Sequence, residues 1–330
     1  MTKYPLFALL VGILLGCAQN ASTSSPPLPS ARVSEIRYVM GTLLEMTLYA
    51  PSHEQGREIL NDAFRVAESL DSELSLWKPE SPITVFNRDG STAPRPVSSD
   101  IYTLVTLSKD LSEKTDGAFT IGVRPLVEMW EAASKRGEIP SQSEIDRIRG
   151  LISPTNLITA PPSSLGKSAP GVKIETGGIG KGYAVDSIVK LLRSRGVTNA
   201  FINFGRSSMA AIGSPPNARG WKVTVALTEG SSEAAVELRD ETLSVSRAHG
   251  TPYIVKGVAY AHIFDPTSGM PVQKTRGAAI RGPSATEGEA FVKYLVIRGA
   301  PSARVAKRWS GAEWMVRTGD SIESSAGFGR

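Results

Sequence analysis

Apolar and polar positions alternate from Glu35 to Tyr49, with Ile36, Tyr38, Leu44, Met46 and Leu48 as the apolar members. That period predicts two strands, broken near Met40-Gly41-Thr42. From His53 to Leu76 the period changes to a helical one, carrying Ile59, Leu60, Phe64, Ala67 and Leu70 on one face. The run Leu76-Trp77-Lys78-Pro79 ends this helix, because Pro79 and Pro82 forbid its continuation. A second amphipathic helix is predicted over Ser99–Lys114. The loop Gly117-Ala118-Phe119-Thr120 follows and leads into Pro125–Trp130. Ser141 to Gly150 reads as a helix with Ser141 as N-cap and Glu144 completing a capping box.

The centre of the chain carries its most concentrated chemical signal. Val172, Lys173 and Ile174 give a short apolar strand signal. Four glycines fall within residues 177–182, and Tyr183, Val185, Ile188, Val189, Leu191 and Leu192 then recur at helix spacing up to Arg195. A strand, a glycine-rich turn and a helix start bring exposed backbone N–H groups and the positive end of a helix dipole to one place, with Lys181 as a mobile cation beside them. Such a place suits a phosphorylated ligand. The spacing matches neither G-x-G-x-x-G nor G-x-x-x-x-G-K-[ST], and a tight turn in which the glycines only relieve crowding satisfies the same pattern.

Beyond this helix, Ala200 to Asn203 reads as a buried strand ending at Gly205. Trp221–Leu227 and Ala234–Leu238 alternate as strands, and Leu243–Arg247 and Tyr253–Ala261 are expected to continue the same sheet. The stretch His262–Gly269 is a turn, Ala278–Arg281 a strand, Ala285–Ile297 a helix and Glu313–Arg317 a final strand. Runs of strands mixed with helices, with no fixed repeat, predict an α+β fold in preference to a doubly wound parallel sheet.

Composition changes this picture little, except at the N-terminus. The chain has 330 residues, 41% hydrophobic and 21% charged, with a net charge of +5. Its basic residues are scattered without a Lys/Arg run or interleaved aromatics, so nucleic acid is not an expected partner. The single cysteine, Cys17, follows the apolar run Leu6–Leu15 and Gly16. That run is too short to span a bilayer and has the layout of a signal peptide. The run Leu14-Leu15-Gly16-Cys17 resembles the bacterial lipobox. This implies a lipoprotein signal peptide over residues 1–16 and lipidation, palmitate included, of Cys17. It also implies a lipid anchor in the bacterial cell envelope, facing the periplasm from the inner or outer membrane. Residues 17–32, rich in Ser, Pro, Ala and Asn, are expected to form a disordered tether, and residues 33–320 a single domain.

Five pieces stand in order along that domain: Met40-Gly41-Thr42; Thr115-Asp116-Gly117-Ala118-Phe119 with Pro125-Leu126; the Gly177–Asp186 turn; Asn203-Phe204-Gly205; and His262-Ile263-Phe264-Asp265-Pro266-Thr267-Ser268-Gly269. Together they resemble the ApbE family of FAD:protein FMN transferases, from about residue 35 to about 317. The most specific matches are K-G-Y-A-V-D and H-I-F-D-P-x-S-G. The resemblance implies ApbE-like (T-fold-like) mixed sheets with flanking helices. It implies that FAD is split at its pyrophosphate and that FMN passes to a threonine or serine hydroxyl of an acceptor flavoprotein, with AMP leaving. It also implies a magnesium ion that neutralises phosphoryl charge.

Carried over position by position, the resemblance puts Met40, Trp77, Ala118, Phe119, Thr120, Glu175 and Ile263 around the flavin nucleotide. Gly178 would offer a metal ligand from the turn, Lys181 would face the phosphates, and His262 would contact the leaving nucleotide or shuttle a proton. Thr120 and Glu175 stand where the family has aspartate. His53 and His249 are expected at the surface. The family's A-D-A-L-x-T helix motif, whose aspartate and threonine hold the magnesium, is here Glu287-Gly288-Glu289-Ala290-Phe291-Val292-Lys293. Glu289 keeps a carboxylate for the metal; Lys293 brings an ammonium to the second ligand position. The usual G-G-D and T-S-G motifs are Gly205-Arg206-Ser207 and Val245-Ser246-Arg247. Two outcomes follow. In one, Lys293, Arg206 and Arg247 act as fixed cations in place of the metal. In the other, the chain is a flavin-binding envelope lipoprotein without transfer activity. A FAD pyrophosphatase that releases free FMN is a third reading.

Overall fold

The computed structural model describes residues 31–329 except 229, 249–252, 273–275 and 310. Cys17, the signal peptide, nearly all of the tether and His249 lie outside the described residues. No helix among the described residues is long and apolar enough to cross a membrane.

One eight-stranded sheet organises the chain, in the spatial order Ala31–Val39, Thr42–Ala50, Ala200–Phe204, Ser208–Ile212, Thr242–Arg247, Arg276–Gly282, Glu313–Thr318, Ser321–Ser324. Every neighbouring pair is antiparallel. The first hairpin turns on Met40 and Gly41, both at positive φ (49° and 76°), which matches the twist of a two-residue hairpin. A methionine there is unusual, since side chains other than glycine pay for the left-handed region.

Helices cover one face of the sheet. His53–Leu74 packs on the first two strands, and Gly180–Ser194 and Ala285–Arg298 pack side by side on the middle ones. The main core lies beneath them, with Leu44, Phe64, Ile188, Phe204 and Leu295 fully buried. The hairpin Trp221–Val225/Ala234–Leu238 and the C-terminal Phe328 close a second core on the other face. A third core holds Trp130 at its centre, between the helices Arg124–Arg136 and Gln142–Arg149 and the hairpin Tyr253–Val255/Val258–Tyr260. Trp130 lies 5.2 Å from the Tyr260 ring and donates its indole N–H to the Gly269 carbonyl at 3.1 Å.

Helix limits follow local capping. Ser52, Ser81, Ser98, Ser141 and Ser284 each accept a backbone N–H three residues on, the N-cap arrangement. Ser99–Lys114 forms as the periodicity predicts. The first helix ends at Leu74, before either proline is reached, and Pro82 instead opens a second helix, Pro82–Arg88, where its missing N–H costs nothing.

Three expectations need correction. Val172–Ile174 forms no strand. The Asn87 side-chain amide takes the partner's place, accepting from Ile174 N–H at 2.7 Å and donating to Ile174 C=O at 2.8 Å. Tyr253–Ala261 does not continue the main sheet; it folds back on itself and packs on Trp130. Glu313–Thr318 is not the last strand, since Ser321–Ser324 pairs beside it at the sheet edge.

Candidate active site

The glycine-rich turn lies at the mouth of a cleft of about 580 Å³. Its walls come from Trp77, the 118–120 segment, the first turns of the Arg124–Arg136 helix, the Gly205–Ser207 turn, the Val245–Arg247 strand end, residues 262–266 and the helix face bearing Glu289, Lys293 and Ile297.

What brings these pieces together is close contact between the Gly180–Ser194 and Ala285–Arg298 helices. A Cβ on Gly182 would meet the Ala285 carbonyl oxygen at 2.5 Å and Glu289 Cγ at 2.9 Å, so only glycine allows this approach. Asp186, one turn further on, accepts the backbone N–H groups of Ala285 and Thr286 (2.9 Å each) and the Ser284 and Thr286 hydroxyls. It thus caps the neighbouring helix and stabilises its positive end. Tyr183 turns away to donate to Asp100 at 2.7 Å. Within K-G-Y-A-V-D, therefore, Lys181 lines the cleft, Gly182 and Asp186 hold the two helices together, and Tyr183 ties the first of them to the Ser99–Lys114 helix.

The turn 262–269 is built in the same way. Asp265 accepts a bidentate pair from Arg298 (2.9 Å each) together with the amide and hydroxyl of Thr267. Burial raises its pKa, but the Thr267 hydrogen bonds and Arg298 outweigh this and leave it below the ordinary aspartate value. Asp265 fixes the loop, and His262, Ile263, Phe264 and Pro266 face the cleft. Burial first, then the Lys293 and Lys181 ammonium charges, lower the His262 pKa. The same two lysines act electrostatically on Glu289, so Lys181, His262, Lys293 and Glu289 form one charged cluster.

Glu289 is 2% exposed. Its Oε1 accepts from the Ser208 hydroxyl and its Oε2 from Lys293 Nζ at 3.1 Å. Burial raises the Glu289 pKa; Lys293, Lys181 and Ser208 outweigh it and hold the carboxyl ionised below its ordinary range. Whether these residues fit a magnesium ion turns on this pair. Magnesium demands near-octahedral oxygen ligands, yet both Glu289 oxygens are already engaged and the second ligand position is an ammonium. A divalent ion about 4 Å from that ammonium would meet a repulsion of about 8 kcal/mol at an effective dielectric constant near 20. The expected Gly178–Glu289 metal site does not fit this chain.

Of the residues expected around a flavin nucleotide, Trp77, Ala118, Phe119, Thr120, Glu175, Lys181 and Ile263 all line the cleft, as does Gly178, expected at the metal. Met40 does not. Its side chain lies against Gly180, where a Cβ would be 3.4 Å from the Met40 methyl, and it braces the start of the helix that carries Lys181. Trp77 is 88% exposed and offers an open ring face. The Thr120 hydroxyl is committed, donating to Ile152 C=O at 3.0 Å and accepting from Gly122 N–H at 3.1 Å. Glu175 is also committed, to the Gly177 amide at 2.9 Å and to Arg124 at 3.3 Å. Its burial raises the carboxyl pKa, against the opposing pull of Gly177 and Arg124. A Cβ on Gly178 would find only ordinary contacts, 4.0 Å from Lys293 Cε and Phe119 Cε2, so packing within the chain does not require that glycine.

Arg124 was not legible in advance. It pairs with Glu128 and Glu131 on its own helix and reaches Glu175, 51 residues away. Only the i, i+4 spacing to Glu128 shows in the sequence.

A glycine turn at a helix start, two lysines, an exposed imidazole and an open indole therefore surround one cleft. The sequence profile of the ApbE family matches residues 40–315, and the chain belongs to that family. It is 27% identical to the FAD:protein FMN transferase of Escherichia coli K12, over 96% of this chain and 93% of the relative. To the Salmonella typhimurium FAD:protein FMN transferase it is 26% identical, covering 91% and 87%. The fold agrees with the crystal structure of the ApbE protein from Thermotoga maritima (TM-score 0.78, 23% identity, 90% and 97% covered). It also agrees with the flavin transferase ApbE from Vibrio cholerae (TM-score 0.75, 23% identity, 91% and 99% covered).

Proposed function

We propose that this chain is a FAD:protein FMN transferase. It binds FAD in the cleft with the diphosphate over the 177–181 turn, and it transfers FMN to a threonine or serine hydroxyl of an acceptor flavoprotein. The observation that carries this reading is the convergence of Lys181, His262 and Lys293 on the glycine turn, in a chain matched to the family from residue 40 to residue 315.

In this reading the acceptor oxygen attacks the phosphorus of the FMN half and forms a new P–O ester bond. The bridging P–O bond breaks, and AMP leaves with the bridging oxygen. The hydroxyl proton passes to His262, which its lowered pKa keeps neutral and able to accept. Lys181 meets the phosphate oxygens, and the backbone of the glycine turn lets the diphosphate approach closely. Trp77 provides a face for ring stacking at the mouth.

Incubation with FAD and an acceptor flavoprotein bearing the target threonine tests the reading. It should yield a covalent fluorescent acceptor and one AMP per flavin attached. Yellow protein with no transfer would instead indicate a flavin-binding lipoprotein, and free FMN with AMP a pyrophosphatase.

We further propose that Cys17 is lipidated and holds the domain at the bacterial envelope, facing the periplasm and its acceptor. Metabolic labelling with palmitate checks this: the wild type should label and Cys17→Ser should not. Label in both would end the proposal.

A further inference from the structure

We propose that the Lys293–Glu289 pair occupies the place of a divalent cation in this chain, so that FAD is bound and its diphosphate neutralised by fixed ammonium groups without magnesium. The inference rests on the transferase reading and specifies how that site handles charge.

Three observations carry it. Glu289 and Lys293 lie one helical turn apart on the helix that walls the cleft, with Nζ 3.1 Å from Oε2. The remaining Glu289 oxygen accepts the Ser208 hydroxyl, so each carboxylate oxygen already holds a protein donor. Lys293 is one-fifth exposed, toward the cleft that Lys181 and His262 also line. A lysine held by a buried carboxylate is a fixed point charge. It presents its remaining N–H groups to an anion. Glu289 here positions a cation made of protein, and Lys181 from the facing helix supplies a second one. The rearrangement of bonds in transfer is unchanged: the new P–O bond forms as the bridging P–O bond breaks. The charge that collects on the departing AMP oxygen is met by ammonium groups that need no assembly beforehand.

The test uses purified full-length protein, with FAD titrated calorimetrically in EDTA and in magnesium chloride, beside the transfer assay in the same two buffers. FAD affinity and transfer rate are expected to agree within about twofold between the two conditions. Lys293→Arg, which keeps the charge and the fold, should retain most FAD affinity in EDTA. Lys293→Thr, which replaces the ammonium by a hydroxyl one turn from Glu289, should bind FAD about tenfold more weakly in EDTA and recover on adding magnesium. A wild-type protein whose affinity or transfer falls about tenfold in EDTA and returns with magnesium overturns the inference and leaves the transferase reading standing. So does a Lys293→Thr protein that binds FAD in EDTA as the wild type does. Absence of FAD binding in every buffer overturns the transferase reading itself.

Discussion

Gly182 and Ala285 stand closer than any side chain would permit: a Cβ on the glycine would lie 2.5 Å from the alanine carbonyl oxygen. That contact sets the spacing of the two helices that carry Lys181 and Lys293. Gly182→Ala must therefore push the helices apart. The expected cost is about 1–3 kcal/mol of folding stability, read by urea unfolding, with FAD affinity lost even at temperatures where the variant stays folded. An unchanged unfolding midpoint would show that the helices can shift freely.

Asp186 joins the same helices through a cap rather than through contact. Its carboxylate serves two backbone amides and two hydroxyls at the start of Ala285–Arg298. Asp186→Ala is expected to cost about 2 kcal/mol, at the upper end for a helix cap. Asp186→Asn should cost less, since one acceptor oxygen survives. Equal unfolding midpoints for Asp186→Ala and the wild type would contradict this.

His262 gives a pH dependence with a definite sign. Its folded pKa lies below the ordinary value of 6.5, through burial first and the two lysines next. Below 6.5 the unfolded chain takes up a proton at this position while the folded chain does not, so folding stability falls as pH drops from there toward the folded pKa. Above that window His262 contributes no slope. Melting curves recorded from about pH 7.5 down to about pH 5 should show this loss in the wild type and a shallower one in His262→Gln. The transfer rate should fall on the acid side for the same reason, as the imidazole gains the proton it is meant to accept.

Trp77 separates binding from stability. It lines the cleft yet is almost fully exposed. Trp77→Ala should leave the unfolding midpoint within about 0.5 kcal/mol of the wild type. The same variant should weaken FAD binding by about 1 kcal/mol, the scale of one aromatic stack. FAD should also quench tryptophan emission in the wild type more than in this variant. Equal affinity in both proteins would place the flavin ring elsewhere.

Much of the fold and cleft was legible because its determinants are local. Ser99–Lys114 could be bounded from its apolar stripe, and the Met40-Gly41 turn from the broken alternation on either side. The cleft residues were legible as short motifs whose members lie within one turn or one helix start. What escaped depends on distant partners. Period-two alternation says that Tyr253–Ala261 is extended but not which surface it faces, and Trp130 decided that. Val172–Ile174 has strand chemistry, but the group that reaches its backbone is the Asn87 side chain. Asp186 ends the glycine-rich motif, yet its hydrogen bonds go to a helix 99 residues away, which the motif does not reveal. Arg124 gives no sign in sequence of the Glu175 it pairs with. Conversely, the helical spacing of Glu289 and Lys293 already placed carboxylate and ammonium on one face, and the 3.1 Å contact bears that out.

The most direct measurement on the central claim is mass analysis of an acceptor flavoprotein after incubation with this protein and FAD, with nucleotides counted in the same tube. The account predicts an acceptor heavier by one FMN less one water, modified at a threonine or serine hydroxyl, with AMP formed one for one. FAD left intact beside an unmodified acceptor, or AMP appearing with free FMN alone, would contradict it.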